Sequence, residues 1–338
     1  MIRFPDKAAF EAALSALPFP DALAAEAAAA RQAQLTKPPG SLGRLEEIAL
    51  FMAGWQGRAR PHIGTVRAAI FAGNHGVAVQ GVSAFPPAVT EQMVANFHAG
   101  GAAINALARA CGAELRVVPL DLDRPTGDIS IEPAMSEAEC LEALNAGAAI
   151  VSADIHLLFV GEMGIANSTP AAALCAQAFG GEASDWVGHG TGVDDAGMAR
   201  KILAVARALA LHGSACDGPF ETLRRLGGRE SAAMAGAILA ARMQRIPILL
   251  DGFICCAAIA PLAAAVPAIT DHCLAAHCSA EVGHVRLLKY LDLRPLLHLD
   301  MRLGEGSGAA VAVQIVRSAL AAHDEMATFA EAAVAQAL

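Results

Sequence analysis

The stretch Ile155-His156-Leu157-Leu158-Phe159-Val160-Gly161-Glu162-Met163-Gly164-Ile165-Ala166-Asn167-Ser168-Thr169-Pro170-Ala171-Ala172 decides the fold. Residues 155–160 form an apolar run too short for a helix of its own, so they read as a buried strand. Two glycines then turn the chain. Thr169 stands where a cap is wanted and Pro170 where a first helical turn tolerates proline, so an alanine-rich helix follows. The same unit recurs outward in both directions. Residues 66–72 end in Gly73-Asn74-His75-Gly76, and residues 115–120 end in an acidic loop. Residues 246–250 end in Asp251-Gly252, and residues 296–301 lead to Gly304-Glu305-Gly306-Ser307-Gly308. Five strand–turn–helix units predict an α/β fold with a mostly parallel, doubly wound sheet covered by helices on both faces. Right-handed crossovers put every one of those turns at one edge of the sheet, where open α/β folds bind ligands.

Around this core the first 55 residues read as helices, over 8–17, 22–33 and 45–55, broken by Pro18 and Pro20 and by the loop Thr36-Lys37-Pro38-Pro39-Gly40-Ser41-Leu42-Gly43. The expectation is an α/β core with a helical addition. No repeat of fixed period and no low-complexity linker is present.

Composition removes whole classes of function. Of 338 residues, 55% are hydrophobic and 17% charged, so the chain can bury a core and is not a disordered solvating polymer. A formal charge of -9 with only 4% aromatics leaves little to attract or stack on nucleic acid. The most apolar stretch, 246–269, is interrupted by Asp251, Pro261 and Pro267, which argues against a membrane span. The first residues lack the apolar core of an export signal, so the eight cysteines are expected as reduced thiols in the cytoplasm. His272-Cys273 and His277-Cys278, with His284, lack the paired spacing of a zinc site and read as helix and loop; no metal and no cofactor are expected.

Two carboxylates stand out. Glu162 ends a buried strand beside the helix start at Asn167, Ser168 and Thr169, whose free N–H groups make an anion site next to the close-approach glycine Gly164. Glu305 is held between Gly304 and Gly306; partial desolvation there raises a carboxyl pKa toward neutrality and makes a general base. The Gly304–Gly308 turn lacks the third glycine of a dinucleotide fingerprint, because Ala309 stands there, so a nicotinamide dehydrogenase is not indicated. The loop Gly190-Thr191-Gly192-Val193-Asp194-Asp195 is not preceded by an apolar strand, so it does not match the acidic motif of enzymes that use phosphoribosyl pyrophosphate with magnesium. Lys201, on the helix after that loop, is a candidate phosphate cation, and His75 at the end of the first strand a candidate anion contact.

Six motifs occur in order: Leu35-Thr36-Lys37-Pro38-Pro39-Gly40-Ser41-Leu42-Gly43-Arg44-Leu45-Glu46, Asn74-His75-Gly76, Gly161 through Pro170, Leu249-Leu250-Asp251-Gly252-Phe253, Ser279-Ala280-Glu281, and Met301-Arg302-Leu303-Gly304-Glu305-Gly306-Ser307-Gly308. Together they resemble the nicotinate-nucleotide–dimethylbenzimidazole phosphoribosyltransferase family over nearly the whole chain. Asn74 stands where family members often carry Asp, and Ser168 where they often carry Thr. The resemblance implies transfer of phosphoribose from nicotinate mononucleotide to 5,6-dimethylbenzimidazole, giving α-ribazole 5′-phosphate and nicotinate in cobalamin assembly. It implies a homodimer, with a large domain over 60–322 and a small helical domain from 1–59 together with 323–338. By motif, Glu305 becomes the catalytic base, and Glu162 would supply a negative charge beside the ribose or hold a water. Gly164, Asn167, Ser168, Thr169 and Lys201 hold the 5′-phosphate, and His75, Gly304 and Gly306 also contact substrate. Phe85 and Met93 would form the apolar wall for the acceptor base. The rival readings are the same transfer to adenine, benzimidazole or a phenol, and a non-catalytic nucleotide-phosphate binder.

Overall fold

A computed structural model describes residues 2–190 and 192–335. Strands β1 (Val66–Ala72), β2 (Ala113–Pro119), β3 (Leu157–Met163), β4 (Ile248–Leu250) and β5 (Cys273–Ala275) form one parallel sheet in the order β2-β1-β3-β4-β5. The order reverses between β1 and β3, which makes their carboxyl ends the switch point of a doubly wound sheet. A short parallel pair, β6 (His277–Cys278) with β7 (Leu297–His298), continues beyond β5, joined by backbone bonds such as Leu296 N–H to Ala275 O at 2.9 Å.

Alternation along the strands splits the core in two. Ala69, Phe71, Leu158, Val160 and Leu250 face the helices Ser168–Phe179, Arg229–Met243 and Phe253–Ala265. Val66, Ala68, Ile70, Leu157, Phe159 and Leu249 face the helices Arg44–Gln56, Ala103–Cys111 and Ser307–Glu325. Successive residues of one strand thus serve opposite layers, as the period of two requires. Helices cover both faces, as expected.

Small residues set the spacing of the first layer. Helix Glu137–Ala148 touches helix Arg229–Met243 backbone to backbone: a Cβ at Gly147 would overlap the carbonyl oxygen of Ala233, and one at Gly236 that of Leu144. At the chain ends, Leu35 bridges Thr328 and the Arg31 guanidinium donates to the carbonyls of His323 and Asp324. Phe10 of helix Lys7–Ser15 instead packs edge-on against Phe220 in the first layer. Residues 1 and 336–338 of the expected small domain lie outside the described residues.

Four local expectations change. Strand β3 runs from Leu157 on to Met163, so Gly161 and Glu162 are strand residues and not turn. Residues 273–275 and 277–278 are strands, not helix and loop: Cys and Ala carry little strand preference, and pairing with β4 overrides it through Ile248 N–H to His272 O (3.0 Å) and Ala276 N–H to Leu250 O (2.8 Å). The expected strand over 296–301 shrinks to Leu297–His298, because only β6 is there to pair with it. The helix Ser168–Phe179 starts two residues earlier than Thr169 would cap it, with Asn167 in the cap position and the Thr169 hydroxyl buried without a partner. Among the described residues no helix is long and apolar enough to cross a membrane, and none of the eight cysteines is bridged.

Candidate active site

The cleft lies where β3 and β4 end. β3 pairs with β1 along its full length, Phe71 opposite Glu162, but with β4 only as far as Val160, so Gly161, Glu162 and Met163 run on past their neighbour. Gly161 makes the site. A Cβ there would overlap the amide nitrogen of Gly306 and lie 2.6 Å from the carbonyl carbon of Glu305, so only glycine lets the 304–306 loop lie across the strand. A Cβ at Gly304 would in turn strike Glu162 Oε1. Two close approaches thereby set the two expected carboxylates side by side.

Asp251 pins that loop. Its carboxylate, at the end of β4, accepts the N–H of Gly306 at 3.2 Å and of Ala309 at 2.8 Å, serving the open end of helix Ser307–Glu325. Residues 304, 305 and 306 all have left-handed backbone, and Glu305 (φ 59°) does so without being glycine, a conformation that costs on the order of 1 kcal/mol.

Burial dominates the electrostatics. Desolvation pushes the Glu162 carboxyl up to about 8, against the hydrogen bond from Asn167 and reinforced by Glu230, Asp251 and Glu305. Asp251 is pushed to about 7 by burial, opposed by its backbone donors, and Glu305 to about 7 by burial. The Asn167 amide donates to Glu162 Oε2, whereas Glu305 Oε2 is buried with no partner.

Across the cleft, the Lys201 ammonium donates to Gly188 O at 2.6 Å, and burial lowers its pKa. A Cβ at Gly190 would lie 3.5 Å from both Lys201 Nζ and Ser168 Oγ, so the lysine, the serine and the start of helix Ser168–Phe179 converge on one spot. Arg302 donates to Gly190 O at 3.1 Å and also lines the cleft. Thr191, in the same loop, lies outside the described residues. A buried lysine, a hydroxyl and a helix N-terminus are the parts of an anion cradle.

Of the expected residues, Glu162, Gly164, Asn167, Ser168, Lys201 and Gly304 line the cleft, and Glu305 and Gly306 adjoin it through Gly304. Thr169 is buried behind the helix start. His75 lies beneath the floor with its Nε2 3.1 Å from Glu230 Oε1, both side chains shut off from solvent. On the 81–93 segment the wall is made by Val82 and Ser83; Phe85 is 48% exposed and Met93 packs against the second layer. Asp251, His277, Ser279, Glu281 and Arg302 also line the cleft. Asp251 carried the same signal as Glu162, a carboxylate closing an apolar run, while nothing periodic marked His277 or Ser279.

The family model described as Phosphoribosyltransferase matches residues 17–334. A nicotinate-nucleotide–dimethylbenzimidazole phosphoribosyltransferase of Novosphingobium aromaticivorans is 68% identical over 338 residues, covering all of both chains. The chain belongs to the nicotinate-nucleotide–dimethylbenzimidazole phosphoribosyltransferase family. Another relative of that name, from Mesorhizobium japonicum, is 58% identical over 95% of each chain. Among solved structures, CobT from Thermus thermophilus matches with a TM-score of 0.88 at 41% identity, over 93% of this chain and 100% of that one. The family's fold and the one described above are therefore the same.

Proposed function

We propose that this chain transfers the phosphoribosyl group of nicotinate mononucleotide to 5,6-dimethylbenzimidazole, releasing nicotinate and forming α-ribazole 5′-phosphate for cobalamin assembly. The observation that carries the reading is one cleft with an anion cradle on one side and, on the other, two carboxylates raised toward neutral pKa on glycine-enforced turns.

In the transfer, Lys201 and the hydroxyl and backbone N–H of Ser168 hold the 5′-phosphate, with Gly164 and Asn167 beside them; the N–H groups of Asn167 and Thr169 are taken by the carbonyls of Gly164 and Ala166. Glu305 accepts the ring N–H proton of the acceptor while its other ring nitrogen forms a bond to C1′ of the ribose. The C1′–N bond to nicotinate breaks on the opposite face, and its electron pair returns to the pyridinium nitrogen, which leaves neutral. Attack from the far face turns a β-nucleotide into an α-riboside. A carboxylate poised near pH 7 suits this proton transfer, since general bases work best with a pKa close to the working pH. Glu162, fixed by Asn167, faces the cation: the positive pyridinium and the charge building on the ribose favour its ionised form and are stabilised by it.

The acceptor is proposed to rest on the segment carrying Val82, Ser83, Phe85 and Met93, and His75 with Glu230 to support the floor from below. A homodimer in the cytoplasm, divided into 60–322 and 1–59 with 323–338, completes the proposal and rests on the family resemblance; the bonds from Thr36 N–H to Ala327 O and from Phe329 N–H to Gln34 O support the pairing of the two ends. The test is direct. Protein incubated with both substrates is expected to release nicotinate and α-ribazole phosphate in equal amounts. Nicotinate without the riboside would mean a different acceptor, and an unconsumed nucleotide would leave a binding protein.

A further inference from the structure

Ser279 lines the cleft, and behind it lies a chain of polar atoms with no solvent contact. Its backbone N–H donates to His284 Nδ1 at 2.9 Å, and its Oγ lies 2.9 Å from the same nitrogen. His284 Nε2 is 3.4 Å from the thiol sulfur of Cys256. His284 and Cys256 are fully buried, and the imidazole is walled by the edges of Phe253 and His277. A nitrogen that accepts an N–H carries no hydrogen, so Nδ1 is bare and the ring proton sits on Nε2, aimed at the sulfur. Burial holds the ring neutral, with its pKa lowered to about 3. The Ser279 hydroxyl beside a bare Nδ1 turns its hydrogen to it and shares that one lone pair with the backbone N–H, because the alternative sets two lone pairs against each other. Its remaining lone pairs are then free for the cleft, and it has no hydrogen left to give.

We propose that His284 is a positioning residue that locks the Ser279 hydroxyl as a one-way acceptor for a ribose hydroxyl of the bound nucleotide. This rests on the transfer reading above, and substrate chemistry narrows the donor. Dimethylbenzimidazole has one N–H, which Glu305 takes. Nicotinate has none, and the phosphate meets cations and N–H groups. The hydrogens left are those of the 2′- and 3′-hydroxyls.

The experiment measures binding of nicotinate mononucleotide and its 2′-deoxy and 3′-deoxy forms by calorimetry, alongside KM and kcat. The wild type should bind one deoxy form about tenfold more weakly, the scale of one hydrogen bond. Ser279→Ala should bind the parent about tenfold more weakly, no longer discriminate against that deoxy form, and raise KM more than it lowers kcat. His284→Leu should reproduce Ser279→Ala, while His284→Asn, whose side-chain oxygen can stand where Nδ1 stood, should restore discrimination. If Ser279→Ala discriminates among the three nucleotides as the wild type does, the proposal is overturned, whatever the folding of the His284 variants. A wild type that binds the nucleotides but never releases nicotinate would sink the transfer reading and leave the calorimetric comparison to decide on Ser279.

Discussion

Glu162 and Glu305 sit beside each other, and burial raises both, yet they are held in opposite ways. Glu162 grows from a regular strand, and the amide of Asn167 occupies one of its oxygens. Glu305 stands on a left-handed loop, and its Oε2 is buried with nothing to receive. A carboxyl with its partner built in is held in place, to be ionised when the cationic substrate arrives. One with an empty acceptor position awaits a donor, which the acceptor's N–H supplies. The contrast teaches that similar pKa shifts can mark different roles, and that unsatisfied polar atoms tell them apart.

The sharpest way to break this comparison is to neutralise each member in turn. Glu305→Gln should lower kcat by about 10²–10⁴-fold while nucleotide binding persists, since a general base contributes on that scale. Glu162→Gln should cost less, and a larger loss there would reverse the two roles. Next in size, Gly161→Ala should push the 304–306 loop off β3 and lower kcat by about 10²-fold without touching either carboxylate, because small misplacements cost on that order. Wild-type kcat from that variant would show that the loop's seat on the strand is irrelevant.

The pH dependence sharpens the same contrast. Glu305 must be ionised to accept a proton, so kcat/KM should fall about tenfold for each unit below a pH of about 7, and Glu305→Gln should flatten that limb. The smallest effect is on stability. The folded state binds the Glu162 proton more tightly than the unfolded chain does, with a pKa of about 8 against an ordinary 4.5. Its contribution is therefore intact below about pH 4.5 and lost as pH rises through 8. Glu162→Gln should lose that slope, and urea titrations at pH 5 and 8 should show the variant gaining on the wild type by a few kcal/mol at the higher pH.

The sequence made most of this frame legible, because apolar runs closed by glycine turns are strong local signals. Strand β1 has the boundaries expected of it, and the two carboxylates were visible as charges ending such runs. What stayed hidden depends on partners far along the chain. Cys273–Ala275 becomes a strand only because β4 offers its edge. Glu230 is one buried position in a helix buried nearly all round, so no face of that helix singles it out. Asn167 takes the cap position rather than Thr169, a shift of two residues that local preference does not resolve.

The backbone contact between helices Glu137–Ala148 and Arg229–Met243 bears on how the molecule moves. Helices separated by side chains can slide by an ångström or two as rotamers adjust. Helices whose carbonyl oxygens rest against glycine α-carbons cannot, since any sliding drives main chain into main chain. That flank of the sheet is barred from shear, and Glu230, on the first turn of one of these helices, keeps its height beneath His75. The floor of the cleft thus rests on a flank whose spacing is set by main chain and not by rotamers.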